Sequence, residues 1–388
     1  IILSEHIFQR GSLMIKITSV NFPKDLYNSF KENNVVVFAG AGVSMGKPSG
    51  LPSFSKLADD IAECFGEKPM CRDKRDPLYR PIDLFLDELS PNNKMAINKR
   101  AAEILNDRYK KPNDLHMNII KLFKDTKNIR IVTTNFDRLF TKAFHKVYEK
   151  NAKLKIYSNP ALPLGGNFNG IVHLHGSLAD PEHMVLTRTH FGRAYLTDGG
   201  VRRFLLPLFQ KYTVLFIGYS LDDVVMDYLQ RALPHETMQK RYILTGSKAD
   251  ESNKWKSLGV EPIRFEITKE KENDYSNLYD LVDKLANRLN RNLIDWENKL
   301  SSHCSKKPQS LDAEAVGEVI EALENRDIVT TFIQVNNNTD WIQWVYERGM
   351  LDNLFKETQL NKIDRILGIW LSNFSNTHPE LLVGLLIK

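Results

Sequence analysis

Cysteine is scarce: Cys64, Cys71 and Cys304 are the only three in 388 residues, and no Cys-x-x-Cys pair occurs. That excludes a disulfide framework and points to a reducing compartment, the cytoplasm. No apolar run approaches the roughly 20 residues of a membrane span. Ile1 to Leu13 lacks a signal-peptide pattern, and Met14 followed by Ile-Lys-Ile reads as a natural start. Residues 1–13 are therefore expected to be a leader, either an expression remnant or upstream translation. Compact Lys/Arg stripes with interleaved aromatics are also missing, so nucleic acid is not an expected partner.

Hydrophobic residues make up 42% and charged ones 26%, ordinary for a globular protein, and the length suits two domains. The net charge of +5 is uneven. From residue 301 onward there are 8 basic and 12 acidic residues, a balance of −4 that leaves +9 on the first 300. A basic body suits an anionic ligand such as a dinucleotide.

The chain is organised around Val35-Val-Val-Phe-Ala-Gly40-Ala-Gly42-Val-Ser44. A short buried strand ends at two glycines one residue apart, a turn at which backbone can approach a pyrophosphate. The dehydrogenase fingerprint is not met. Met45 stands where its third glycine belongs, and Asp59 and Asp60 fall inside a helical pattern rather than at a strand end. A turn-rich loop, Gly46 to Ser55, follows, long enough to cover a bound ligand. Ser53 or Ser55 then caps a helix carrying Leu57, Ala58, Ile61 and Ala62.

Residues 67–128 read as charged helices inserted on a sheet. Strand signals return at Ile129 to Thr133, Leu154 to Tyr157, Ile171 to His175, Met184 to Thr187, Thr213 to Ile217, Arg241 to Thr245 and Ile263 to Ile267. Helical stretches lie between them at Phe136 to Tyr148, Val201 to Tyr212 and Leu221 to Leu233. This alternation predicts an α/β fold: a Rossmann-like parallel sheet with helices on both faces, a helical insertion and an all-helical C-terminal region. Residues 14–298 form the expected α/β domain, with the insertion at about 55–128, and Tyr275 to Leu289 closes it. Ser301 to Leu311 lies in a polar linker, residues 299–311. Residues 312–388 are helical and end on an apolar run (Leu381, Leu382, Leu385, Leu386) that needs a partner, as at the start of a longer sensor or repeat domain.

Three polar groups follow strands at the same sheet end as the glycine turn: Thr133-Thr134-Asn135-Phe136-Asp137, Leu174-His175-Gly176 and Gly218-Tyr219-Ser220. Each has a plain structural reading. Asn135 or Asp137 could cap the next helix, His175 could be a core histidine, and Gly-Tyr-Ser could be a strand-to-helix turn.

As an ordered set, Gly-Ala-Gly-x-Ser, Gly-Leu-Pro-Ser-Phe, Thr-Asn-Phe-Asp, Leu-His-Gly and Gly-Tyr-Ser resembles the sirtuin family over roughly residues 30 to 295. The nearest branch is the sirtuin-like domain of bacterial anti-phage defence proteins. The resemblance implies that Gly40, Ala41, Gly42 and Ser44 hold the NAD pyrophosphate, with Leu51, Pro52 and Thr134 also on the dinucleotide. It places Asn135 by the nicotinamide ribose and Asp137 toward the carboxamide. It makes His175 the catalytic histidine, touching ribose hydroxyls, and Gly218 and Ser220 a further dinucleotide contact.

Two departures bear on activity. The paired Cys-x-x-Cys zinc module of sirtuin deacylases is missing, so no zinc is expected. In the Gly-Ile-Pro-Asp-Phe-Arg motif, Ser53 replaces Asp and Ser55 replaces Arg. Without a peptide groove, water becomes the nucleophile, and NAD+ is expected to be a substrate split into ADP-ribose and nicotinamide. Asn135 could position the water. His175 could take a proton from a ribose hydroxyl or from the water; the sequence leaves both open. The expected role is an NAD-depleting anti-phage effector, acting as a homo-oligomer with a phage-protein trigger or a sensor region. The alternatives are an NAD-dependent deacylase or ADP-ribosyltransferase, and a non-catalytic NAD or ADP-ribose-binding module.

Overall fold

The computed structural model describes residues 14–90, 92–149, 151–220, 228, 239–246, 251–267, 275–356 and 359–387. The 1–13 leader and all of Leu221 to Leu233 except the helical Tyr228 fall outside them. The chain forms two compact units. One is Leu26–Leu289, and the other joins the chain up to Asp25 with the chain from Asn290 onward.

In the smaller unit, strands β1 (Met14–Ile17) and β2 (Val20–Pro23) make an antiparallel hairpin. The larger unit holds β3 (Val35–Ala39), β4 (Arg130–Thr133), β5 (Ile156–Ser158), β6 (Gly170–His173), β7 (Thr213–Ile217), β8 (Arg241–Thr245) and β9 (Glu261–Arg264). They form one sheet in the order β5-β6-β4-β3-β7-β8-β9, with every neighbouring pair parallel. All residues of β3, β6, β7 and β8 are buried. A parallel strand covered on both faces has no solvent side, which is why these segments read as apolar runs without alternation. Phe38 packs on Phe216 and Phe209, with ring centroids 5.1 and 5.5 Å apart.

Connections run leftward from β3 to β4 and later resume rightward through β7, β8 and β9. The order therefore reverses beside β3, and ligand crevices in open parallel sheets form at such a reversal. The four strands that precede the sequence motifs (β6, β4, β3 and β7) are contiguous, so their carboxyl-end loops meet.

Helices of this unit include α1 (Lys24–Lys31, entering from the preceding hairpin), α2 (Gly42–Met45) and α3 (Phe54–Cys64), then α4 (Ile82–Leu89), α5 (Lys94–Leu105) and α6 (Asp114–Lys121) of the insertion. After β4 come α7 (Leu139–Val147), α8 (Arg188–Gly192) and α9 (Gly200–Lys211). Met184 to Thr187, expected as a strand, is extended but pairs with no strand. Met184 and Leu186 enter the apolar cluster of the insertion, and Val185 turns into the sheet core. The alternation is real, yet both faces meet side chains rather than a neighbouring ladder. Thr187 then caps α8 in a capping box with His190.

The second unit packs Phe332, Trp341 and Trp370 together, with centroids 6.1 and 5.4 Å from Phe332. Both indole N–H groups are satisfied, by the Lys306 and Asn336 carbonyls. Asn292, Asp312 and Asn361 cap the helices Leu293–Cys304, Ala313–Glu324 and Lys362–Ser372. The expected polar linker is helical through Cys304, because Trp296, Leu300 and Cys304 face this core. Glu318, 3% exposed, lies 2.8 Å from both Arg291 Nη2 and His303 Nε2. Of the terminal apolar run, Leu382 packs against the core at the edge of the helix Pro379–Ile387. The side chains of Leu381, Leu385 and Leu386 lie outside the described residues.

Candidate active site

The glycine turn is built against β7. Gly40 N–H donates to the Ile217 carbonyl at 2.9 Å, and Gly42 N–H to the Gly218 carbonyl at 3.0 Å. A Cβ on Gly40 would stand 2.7 Å from the Gly218 oxygen, and one on Gly42 2.9 Å from the Gly218 Cα. Gly218 itself has φ +78°, and a Cβ there would reach 2.7 Å from Val43 N. These glycines are required by one another: two strand-end loops stack backbone on backbone, with no room for side chains. Val43 and Ser44 amides bond the Gly40 and Ala41 carbonyls. Among the described residues, the Ala41 amide is thus the turn's remaining donor without a protein acceptor.

A cavity of about 600 Å³, its mouth included, opens beside this turn. Ala41, Ser44, Leu51, Pro52, Thr134, Asn135, Asp137 and His175 line it. Eight of the twelve expected site residues therefore converge. Gly40, Gly42 and Gly218 support the wall from behind, and Ser220 is exposed away from the lining. Phe54, Leu57, Leu105, Phe136, Val185 and Phe191 complete the wall. An apolar concavity with few convergent polar groups is the usual form of a small-ligand site.

Asn135 is held rigidly. Its backbone N–H bonds Thr133 Oγ1 at 3.0 Å, and its amide nitrogen donates to the Gly40 carbonyl at 3.0 Å and Ser44 Oγ at 3.2 Å. A carbonyl oxygen only accepts, so the nitrogen must face Gly40. Oδ1 is then the half of the amide without a partner among the described residues.

Asp137 is buried. It takes Leu139 N–H at 3.0 Å, partly fulfilling the capping reading, and the Ser44 hydroxyl at 2.9 Å. Burial pushes its carboxyl up to about 6, against the pull of those two bonds. Ser44 Oγ is also 3.2 Å from His116 Nε2 on α6, a residue the motif reading missed. Asn113 caps α6 and donates from Nδ2 to the Val43 carbonyl. Its Oδ1 therefore faces His116 Nδ1, 2.7 Å away, which must carry the ring proton. The local clue was Asn113 three residues before His116, an N-cap spacing.

His175 is 2% exposed. Its carbonyl accepts Val185 N–H, and the following Gly176 has φ +87° with the His183 carbonyl 2.6 Å from any added Cβ. Glycine is needed there because the loop doubles back. His175 Nε2 lies 2.9 Å from the Tyr195 hydroxyl. Nδ1 has no partner among the described residues. Burial drives the imidazole down to about 3, so the ring is neutral at physiological pH.

The loop expected to cover the ligand is tied down. Leu51 N–H bonds the Ser44 carbonyl, Ser49 Oγ bonds the Lys111 carbonyl, and Ser53 caps α3. Among the described residues, no group of three or more His, Cys, Asp or Glu is placed to hold a metal ion. No described helix is long and apolar enough to cross a membrane.

Residues 129–263 match the SIR2-like domain family. An uncharacterized protein, y4cA, of Sinorhizobium fredii is 29% identical over 289 residues, covering 69% of this chain and 24% of that protein. The NAD(+) hydrolase ThsA of Bacillus cereus is 28% identical over 210 residues, covering 54% of this chain and 41% of that one. ThsA of Cytobacillus dafuensis is 26% identical over 214 residues, 53% and 39% respectively. The chain thus spans well under half the length of these relatives. A solved structure described as "Structural Basis for the Mechanism and Regulation of Sir2 Enzymes" aligns at 14% identity and TM-score 0.35, covering 69% of this chain and 96% of that one. At that score the architecture rests on this chain's own strand order. The family match spans the stretch that carries Asn135, Asp137, His175 and Gly218, so the part of the chain that gathers these motifs on the parallel sheet is similar to the SIR2-like domain family.

Proposed function

We propose that this domain hydrolyses the bond between nicotinamide and ribose in NAD+, giving ADP-ribose, nicotinamide and a proton. The observation that carries the reading is Asn135, whose locked amide nitrogen leaves Oδ1 as an acceptor in a cavity shared with Asp137 and His175. Bond cleavage builds positive charge on the ribose, and an aligned water must meet the anomeric carbon. Asn135 Oδ1 accepts a hydrogen bond from that water. Asp137, protonated for part of the time near neutral pH, faces the carboxamide, and the Ala41 amide offers a donor to the dinucleotide. His175, neutral and bonded through Nε2, accepts a hydrogen bond at Nδ1 from a ribose hydroxyl or from the water. The ThsA relatives, named as NAD(+) hydrolases, support the substrate class.

The biological role that follows is depletion of cellular NAD+ as an anti-phage effector. A free-running hydrolase would poison its own cell, so the role includes control by oligomerisation, a phage-derived trigger or an associated sensor region. Incubation with NAD+ and chromatography of the products tests the chemistry. Nicotinamide and ADP-ribose in equal amounts are expected. Acyl-ADP-ribose in the presence of an acylated peptide would point to a deacylase, and intact bound NAD+ to a binding module. Inducing the full chain in cells, with and without phage, and measuring NAD+ tests the role.

A further inference from the structure

His175 sits in an aromatic clasp that the motif reading did not foresee. Phe191, at the end of α8, meets its ring edge-on with centroids 5.1 Å apart. Tyr195 meets it at 5.9 Å and brings its hydroxyl to Nε2. Phe191 and Tyr195 stack on each other at 6.0 Å. Tyr195 belongs to a π-helical turn, Arg193–Thr197, that continues α8. Such widened turns commonly mark functional positions, and they shift a side chain off the ordinary helical face. Tyr228 lies flat on Phe191 (4.6 Å, 10°) and donates its hydroxyl to Asp83 Oδ2 at 3.0 Å on α4. The clasp is therefore anchored in the helical insertion as well as in α8.

From this geometry we infer that Tyr195 is a positioning residue for His175: its oxygen accepts the Nε2 proton and so presents Nδ1 to the cavity as a lone pair. A neutral imidazole has one donor and one acceptor nitrogen, and the partner of one nitrogen decides the role of the other. With Nε2–H donated to Tyr195, Nδ1 is the acceptor, as a hydrogen bond from the bound ligand requires. With the proton on Nδ1, the ring could only donate to the ligand. The inference deepens the proposed hydrolysis and rests on it for its kinetic consequence, but the tautomer itself is a property of the resting protein.

The test uses the full chain with imidazole-15N histidine, in wild type and in Tyr195→Phe, which keeps the ring that packs on Phe191 and Tyr228. His175→Asn identifies the His175 resonances. Wild type is expected to show the Nε2–H form. Tyr195→Phe, with Nε2 facing a ring edge and Nδ1 free to donate into the cavity, is expected to move His175 mainly to Nδ1–H. Identical His175 tautomers in the two proteins overturn the inference. In NAD+ turnover, Tyr195→Phe is expected to lower kcat on the order of tenfold to a hundredfold, with KM changed less than about twofold. A change confined to KM, or none, also overturns it. If wild type releases no nicotinamide, the proposed hydrolysis fails, and the 15N spectra alone decide the role of Tyr195.

Discussion

The Asn135 amide nitrogen donates to the Gly40 carbonyl oxygen at 3.0 Å, so the central polar group of the cavity is oriented by the glycine turn itself. Asn135→Asp keeps an oxygen toward the ligand but sets a carboxylate oxygen against that carbonyl. We expect Asn135→Asp to lose as much NAD+ turnover as Asn135→Ala, about a hundredfold or more. Parallel kinetics of the two variants check this. Near-normal rates for Asn135→Asp would remove the orienting role of Gly40.

Ser44 has one hydroxyl proton and two neighbours that ask for it, Asp137 and the Nε2 of His116. A protonated Asp137 resolves the conflict by donating to Ser44, which then donates to His116. Because the Asp137 carboxyl is raised to about 6 from 3.8, its contribution to stability is full below about pH 4 and is lost as pH rises through about 6. An asparagine side chain in its place would imitate the protonated acid at every pH. Asp137→Asn should therefore raise the Tm at pH 8, by about 1–3 kcal/mol of stability, with the gain vanishing near pH 4. Thermal melts across that range decide it.

Ser44→Ala removes one of the bonds that pull the Asp137 carboxyl down, and also an acceptor of the Asn135 amide. The pH at which stability begins to fall should move upward, and NAD+ turnover should drop about tenfold. A pH–stability profile identical to wild type would detach Ser44 from the acid.

Gly218→Ala faces two penalties, a left-handed backbone and a collision with Val43 N. Gly66 has a similar φ of +74° and nothing within 4 Å of an added Cβ. Gly66→Ala should cost about 1–2 kcal/mol from conformation alone. Gly218→Ala should cost clearly more and also reduce turnover, since it pushes the Ala41 turn away from β7. Urea titrations of both variants give the comparison.

In the second unit, Arg291 and His303 hold the Glu318 carboxyl down at about 2, against the burial that opposes them. The sign is opposite to that of Asp137. This contribution is present above about pH 4.5 and lost as pH falls through about 2. Glu318→Ala leaves a buried guanidinium without its partner and should cost about 3–5 kcal/mol. Thermal melts at pH 7 and pH 3 check it: the gap between variant and wild type should narrow in acid.

The larger sheet was legible because its strands are short apolar runs ended by glycine or polar motifs, and those motifs fall on four contiguous strands. Asn135, Asp137 and His175 were readable from position. His116 and Tyr195 were not, since each acts across a contact between segments far apart in the chain. Tyr195 lies in a π-helical turn, which a period of 3.6 does not reveal. Met184 to Leu186 and the helix ending at Cys304 were misread for one reason: local pattern reports which face is buried, not what covers it. Gly40, Gly42 and Gly218 were read as room for a ligand, whereas their first requirement is room for each other.

The contact of Gly218 on Gly42 has a consequence for synthesis. β3 emerges early from the ribosome and β7 late, with α2 to α9 between them, yet the two pair directly from Val35↔Thr213 to Ala39↔Ile217. Until β7 arrives, the Gly40 and Gly42 amides lack their acceptors and the Ala41 turn has no backing wall. An incomplete chain therefore holds the residues of the cavity without its geometry, and the cavity takes shape only when the second half of the sheet closes on the first.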